Sequence, residues 1–216
     1  MLHLLKNGEM KQLKTSLEKS GSSYYKMYGK MKNWNLQSVS SFDLLTNLSG
    51  RDACVLDVGC GIGYLSRLFM RYTGVDLDIE GLRIAKTLFP TRDYICASAT
   101  HLPFRDNSFD TCIGYDCIEH VNDTGQFLAE MSRVSAKVLV GCVDFQSWYQ
   151  VFTRTIRNDR THVFSPSRKD LTKVVSTRLK IRKVYPTCGI FYFPRKLNRF
   201  FAKFFPDYTV LECGRY

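Results

Sequence analysis

The sequence predicts an α/β protein: a doubly wound, mostly parallel sheet of seven strands with a C-terminal antiparallel hairpin at its edge. Three observations predict it. Short apolar runs alternate with helical spacings from residue 38 to residue 143, a glycine-rich turn follows the first run, and two strand-like runs close the chain after a last helix. Parallel strands need a crossover segment to reconnect, usually a helix, so this alternation argues for helices on both sheet faces.

In order, SVSSFDLLTNL (38–48) has helical spacing, and ACVLDV (53–58) is a short, fully buried strand ended by glycines. LSRLFMRY (65–72) is spaced as a helix, TGVDL (73–77) reads as a strand, IEGLRIAKTLF (79–89) as a helix and DYICA (93–97) as a strand. TCIGY (111–115), the helix TGQFLAEMSRV (124–134) and the strand AKVLVGCV (136–143) continue the pattern. Residues 167–176 read as helical, and LKIRKVY (179–185) and TVLECGRY (209–216) form the closing hairpin.

At 216 residues, with 44% hydrophobic and 24% charged residues, the chain has the size and make-up of one globular domain. It divides into an N-terminal helical extension (1–37), a cofactor-binding core (38–142) and acceptor-side segments with the closing strands (143–216). No apolar run approaches the ~20 residues of a membrane span. The start, MLHLLKNGEM, lacks a basic segment followed by ~7–15 apolar residues, so no signal peptide is expected and the location is cytoplasmic by default. Cys54, Cys96, Cys112 and Cys142 lie inside apolar runs and no CxxC pair occurs, which predicts buried free thiols rather than disulfides.

The net charge of +11 is unevenly spread. Residues 1–32 hold seven Lys and two acids, residues 33–153 nine basic residues against fourteen acids, and residues 154–203 fourteen against two. Basic flanks around an acidic middle suit nucleic acid, an anionic membrane surface or a phosphorylated small substrate.

The turn VLDVGCGIGYLS (55–66) places Gly59, Cys60, Gly61 and Gly63 between first strand and first helix, where doubly wound sheets bind cofactors. Asp76 ends the next strand, nineteen residues after Asp57, and a carboxylate there can accept both hydroxyl protons of a ribose. The pattern is GxGxG rather than the dinucleotide GxGxxG, which argues against a pyrophosphate cradle.

At these residues the chain resembles the class I S-adenosylmethionine-dependent methyltransferases, specifically the small type 11 group that includes quinone-biosynthesis methyltransferases. VLDVGCGIGYLS, YTGVDLD, HLPFRDNSFDTCIGYDCIEHV and RTHVFSPSRKDL carry the resemblance across most of residues 53–171. It implies a Rossmann-like fold and S-adenosylmethionine as cofactor. Asp57 and Gly59 to Gly63 would surround its methionine part, Asp76 would take the ribose hydroxyls and Leu77 would pack on the adenine. The family usually has an acid after the third strand to accept the adenine amino proton; Ser98 stands there instead, a weaker neutral acceptor, with Ala99 offering a backbone amide.

The resemblance also puts Tyr115 and Asp116 near the transferable methyl. Asp116, Glu119 and His120 form DxxEH, which on a helix would bring three polar groups to one face, and His162 in THVF would close the same pocket. In one reading His120 or His162 is a general base oriented by Glu119 or Asp116. In another, Asp116, Glu119, His120 and His162 bind a divalent cation that lowers the acceptor's pKa. In a third, EHV is structural and His162 binds no metal. The sequence favours no metal.

Segment 144–164 mixes Phe145, Trp148, Tyr149 and Phe152 with Arg154, Arg157 and Arg160, and is expected to shape the acceptor pocket. Segment 191–208 reads as a basic, Phe-rich amphipathic helix between Pro194 and Pro206, suited to core packing, a pocket lid or peripheral membrane contact. Tyr24, Tyr25 and Tyr28 are candidate pocket residues of the N-terminal extension. The function expected is methylation of a small-molecule or lipid-like acceptor, at oxygen. The alternatives are an RNA methyltransferase using the basic flanks and a non-catalytic scaffold with the same fold.

Overall fold

Seven strands make one sheet in the computed structural model, which describes residues 39–147, 162–187 and 206–216. They are β1 (Cys54–Val58), β2 (Arg71–Asp76), β3 (Asp93–Cys96), β4 (Thr111–Tyr115), β5 (Lys137–Val143), β6 (Lys180–Thr187) and β7 (Tyr208–Gly214). The order is β3-β2-β1-β4-β5-β7-β6. Pairs among β1 to β5 are parallel, whereas β7 runs antiparallel to both β5 and β6. Strand order therefore reverses between β1 and β4, the switch point at which such sheets open a crevice at their carboxyl ends.

Among the described residues four helices flank the sheet: α1 (Val39–Ser49), α2 (Ile79–Leu88), α3 (Thr124–Val134) and α4 (Arg168–Ser176). Each of the last three starts on a side-chain cap that satisfies an orphan amide of the first turn. Asp78 accepts from Glu80 N at 2.9 Å, Asp123 accepts from Gln126 N at 2.8 Å, and Ser167 with Asp170 forms a reciprocal capping box. Asp78, not Asp76, caps α2, which leaves Asp76 for another role.

The strand alternation sorts the core onto two faces. Leu56, Val138, Val140 and Leu211 pack with Phe127, Leu128 and Met131 of α3 and Leu171 and Val175 of α4. Val55, Leu139 and Val210 point the other way, toward Phe42 and Leu45 of α1 and toward Leu65 and Phe69. Each fully buried side chain of this size contributes about 1.5–3 kcal/mol relative to exposure. Apolar residues at successive strand positions thus serve two layers, as the runs in the sequence require.

One element differs from expectation. Residues 65–72 do not form a helix: a 3-10 turn covers Tyr64–Leu68, and β2 already begins at Arg71. Left-handed Gly63 opens the turn, and Phe69 returns to an extended backbone with its ring 1% exposed in the core. From there Tyr72 enters the strand and reaches Asp57, so tertiary contacts override the helical spacing of the same apolar residues. Cys112 and Cys142 are buried free thiols as expected, Cys54 is partly buried, and Cys96 is exposed at the end of β3, contrary to expectation. No described helix is long and apolar enough to cross a membrane. The N-terminal extension with Tyr24, Tyr25 and Tyr28, the segment 148–161 and the basic helix within 191–208 lie outside the described residues.

Candidate active site

The turn after β1 folds around three glycines in left-handed conformation, with φ of 77° at Gly59, 51° at Gly61 and 69° at Gly63. The amides of Gly59 and Cys60 both donate to the Val75 carbonyl, at 2.8 and 3.0 Å, which folds the turn back over the end of β2. A Cβ at Gly59 would stand 2.4 Å from Cys117 Sγ, and one at Gly63 2.5 Å from Tyr94 Oη. Glycine is required there both for the dihedral and for the approach.

Asp76 is laced into this turn. Its Oδ2 accepts from Gly61 N at 2.7 Å and its Oδ1 from Asp78 N at 2.8 Å. A carboxylate has about four lone-pair sites, so two acceptor sites remain for hydroxyl donors. Leu77 beside it is 69% exposed, a large apolar side chain left at the mouth. Ser98 lies beyond the end of β3, where its Oγ contacts Thr100 Oγ1 at 2.8 Å and accepts from Thr100 N at 3.2 Å. Its hydroxyl is thereby shared with a local turn, and the Ala99 side chain packs on the core.

Asp57 sits beneath the turn, 2% exposed, and accepts from Tyr72 Oη at 2.6 Å. Burial pushes its carboxyl up to about 7, against the opposing Tyr72 hydrogen bond and with the help of the Asp76 charge. The folded state therefore holds this proton more tightly than the unfolded chain does. The associated stability is complete below pH about 4 and is lost as pH rises to about 7, up to about 4 kcal/mol. Asp57→Asn keeps an acceptor for Tyr72 and removes that loss: urea unfolding across this range shows a steeper decline in the native protein than in the variant. Parallel profiles would contradict the assignment.

At the far side of the switch point, Tyr115 ends β4 and stacks on Tyr208 of β7, with centroids 4.9 Å apart and planes at 17°. Asp116 follows with φ of 51°, a left-handed conformation that costs a non-glycine residue roughly 1–2 kcal/mol and that Asp tolerates better than most. Its amide donates to Gly141 O at 3.0 Å, and its Oδ1 accepts from Tyr208 Oη. The protein packed around it raises its carboxyl to about 6, opposed by hydrogen bonds from Tyr208 and Glu119; the residue keeps an exposed face, where water works against the shift.

With Asp116 in a left-handed turn, DxxEH does not lie on the α-helix that would have put its three polar groups on one face. Only a 3-10 turn, Ile118–His120, forms. Even so, Glu119 hydrogen-bonds to Asp116 and accepts from Cys142 Sγ at 3.5 Å. Burial, then the Asp116 charge, pushes its carboxyl well above the usual range. The Glu119 carbonyl accepts from Val163 N at 3.0 Å and Phe164 N at 3.1 Å, docking the HVF stretch onto the EHV stretch. His162 thereby stands with its ring 4.7 Å from that of His120 and 4.9 Å from that of Phe145. Of the four residues considered as cation ligands, Glu119, His120 and His162 bring ligand atoms within 4.8 Å of one another; Asp116 is not in that group.

Comparison with known proteins bears directly on this arrangement. Residues 56–137, from β1 to the first residue of β5, match the type 11 family of methyltransferase domains. The chain carries a class I methyltransferase domain of that group. An uncharacterised protein of Methanocaldococcus jannaschii is 40% identical over 72 residues, covering 33% of this chain and 32% of that protein. A malonyl-[acyl-carrier protein] O-methyltransferase of Hamiltonella defensa is 35% identical over 107 residues, 47% of this chain and 41% of that one. The matches to these two relatives thus span less than half of their length. An S-adenosylmethionine-dependent methyltransferase of Thermotoga maritima has the same fold, with a TM-score of 0.64, 18% identity and coverage of 82% of this chain and 89% of that one.

In this methyltransferase domain the structure gathers Gly59, Cys60, Gly61, Gly63, Asp57 and Asp76 around the first turn, and Tyr115, Asp116, Glu119, His120 and His162 around the end of β4. Ser98 and Ala99 follow the end of β3, the strand beside β2. Sequence reasoning missed Tyr72, Tyr208 and Cys142. Tyr72 was legible in principle: β1 pairs with β2 so that Asp57 faces Gly74, and Tyr72, two residues earlier, shares that face. Tyr208 carries no local signal, because only the antiparallel insertion of β7 beside β5 brings residue 208 to residue 116.

Proposed function

We propose that the protein is an S-adenosylmethionine-dependent methyltransferase that methylates a small-molecule or lipid-like acceptor at oxygen. The observation that carries this reading is Asp76, held by the Gly61 and Asp78 amides opposite a left-handed glycine turn at the switch point, with acceptor capacity to spare. The donor set fits the cofactor. Asp76 takes the ribose hydroxyls, exposed Leu77 packs on the adenine, and the turn Gly59–Gly63 leaves backbone rather than side chain against the methionine part. Ser98 and the Ala99 amide meet the adenine edge, with Ser98 the weak contact.

When bound, the cofactor supplies a methyl carbon already activated by its sulfonium. The protein's work is alignment and removal of a proton. Tyr115 borders the transferable group, and Asp116, His120 and His162 face the acceptor, where one of them receives the hydroxyl proton. A carboxyl raised toward neutrality suits a general base.

The acceptor is tested by incubating the protein with methyl-labelled S-adenosylmethionine and fractionated metabolite, lipid and RNA extracts. Label on an oxygen of a metabolite or lipid is expected. Label found only in RNA, or on nitrogen or carbon, overturns the acceptor assignment.

A further inference from the structure

Tyr208 lies outside the stretch that matches the family, on the antiparallel strand that closes the sheet, yet it reaches the end of β4. Its ring lies flat against Tyr115 and its hydroxyl donates to Asp116 Oδ1. Asp116 is one of two non-glycine residues with positive φ among the described residues, and such strain persists only where surrounding contacts hold it. Three contacts hold this one: the Gly141 carbonyl on its amide, the Tyr208 hydroxyl on its carboxylate, and Glu119 on the same carboxylate.

Two carboxyl groups in hydrogen-bond contact need a proton between them. The surroundings decide which group keeps it. Asp116 accepts from the Tyr208 hydroxyl, a donor that favours the charged form, and keeps an exposed face, whereas Glu119 is 1% exposed, and its burial with the neighbouring Asp116 charge outweighs the help its charged form has from a backbone hydrogen bond and the weak Cys142 thiol. Glu119 is therefore the protonated member, donating to Asp116, and Asp116 the ionised one. Among the described residues, the other titratable groups near the pair are Asp207, just before β7, whose charge opposes ionisation of Asp116, and, on the Glu119 side, Cys117, Cys142, His120 and His162.

We propose that Tyr208 is a positioning residue for methyl transfer: its hydroxyl fixes Asp116 as the ionised, proton-accepting member of the Asp116–Glu119 pair at the acceptor mouth. This rests on the acceptor-side reading of Asp116 above. In turnover Asp116 gains the acceptor's proton and returns it to water after the product leaves, while Glu119 keeps its own throughout.

The test is a titration of the Asp and Glu side-chain carboxyl carbons by NMR in the full chain, native and Tyr208→Phe, which removes one hydroxyl and keeps the stacked ring. Tyr72→Phe is the control, because it removes the corresponding hydroxyl from Asp57 and leaves Asp116 untouched. Tyr208→Phe is expected to raise the Asp116 midpoint by about one pH unit, tenfold in proton affinity. Tyr72→Phe is expected to leave it in place. An unmoved Asp116 midpoint in Tyr208→Phe, an equal shift in Tyr72→Phe, or a native pair in which Glu119 ionises first would each overturn the proposal. The titration needs no cofactor, so failure of the native protein to bind S-adenosylhomocysteine would count against the enzymatic reading and leave this result separate. With an acceptor in hand, kcat of Tyr208→Phe falls with KM unchanged; a fall in KM-dependent binding alone would contradict a positioning role.

Discussion

Asp76→Ala weakens binding of S-adenosylhomocysteine by at least about tenfold. The carboxylate has two acceptor sites beyond those used by Gly61 and Asp78, and hydrogen bonds to a charged group contribute about 1.5–3 kcal/mol each, so two lost bonds to ribose hydroxyls exceed the 1.4 kcal/mol of a decade in affinity. The variant also frees the Gly61 amide and loosens the turn, which adds to the loss. Asp76→Asn, with one acceptor oxygen in place of two, falls between native and Ala. An unchanged dissociation constant in the Ala variant would refute the role given to Asp76.

Gly59→Ala destabilises the fold by about 2–5 kcal/mol. A left-handed backbone costs an alanine roughly 1–2 kcal/mol, and overpacking a well-filled interior typically costs 1–3. Both apply here, since φ is 77° and the new methyl meets Cys117 at Sγ, 2.4 Å away, and at Cβ, 2.8 Å away. Gly50→Ala is the contrast: φ is 87° there too, but nothing lies within 4 Å of the added Cβ, so only the backbone cost applies. Denaturant midpoints at one pH compare the two. Equal losses would show that the contact with Cys117 does not matter.

Much of this was legible in the chain because it is written locally. Short apolar runs separated by helical spacings were enough for all seven strands and the terminal hairpin, including β3 and β6, which are buried at few or none of their positions. The glycine turn and Asp76 were legible because GxGxG and an acid one strand later are tied by the parallel pairing of β1 with β2. What failed was decided at a distance. The spacing of LSRLFMRY fits a helix, but Phe69 is claimed by the core around Phe42 and Leu45 and Tyr72 by Asp57, so the chain turns extended. DxxEH fits a helical face, but the left-handed turn at Asp116 and the docking of Val163 and Phe164 on the Glu119 carbonyl set the geometry instead. Cys96 sits in an apolar run, yet β3 is the outermost strand on its side and leaves it exposed.

The most direct measurement is a calorimetric titration of this 216-residue chain with S-adenosylhomocysteine. Micromolar binding is expected, weakened by Asp76→Ala and left in place by Tyr208→Phe. No heat of binding at millimolar ligand, in a protein shown to be folded, would contradict it and leave a methyltransferase fold without its cofactor.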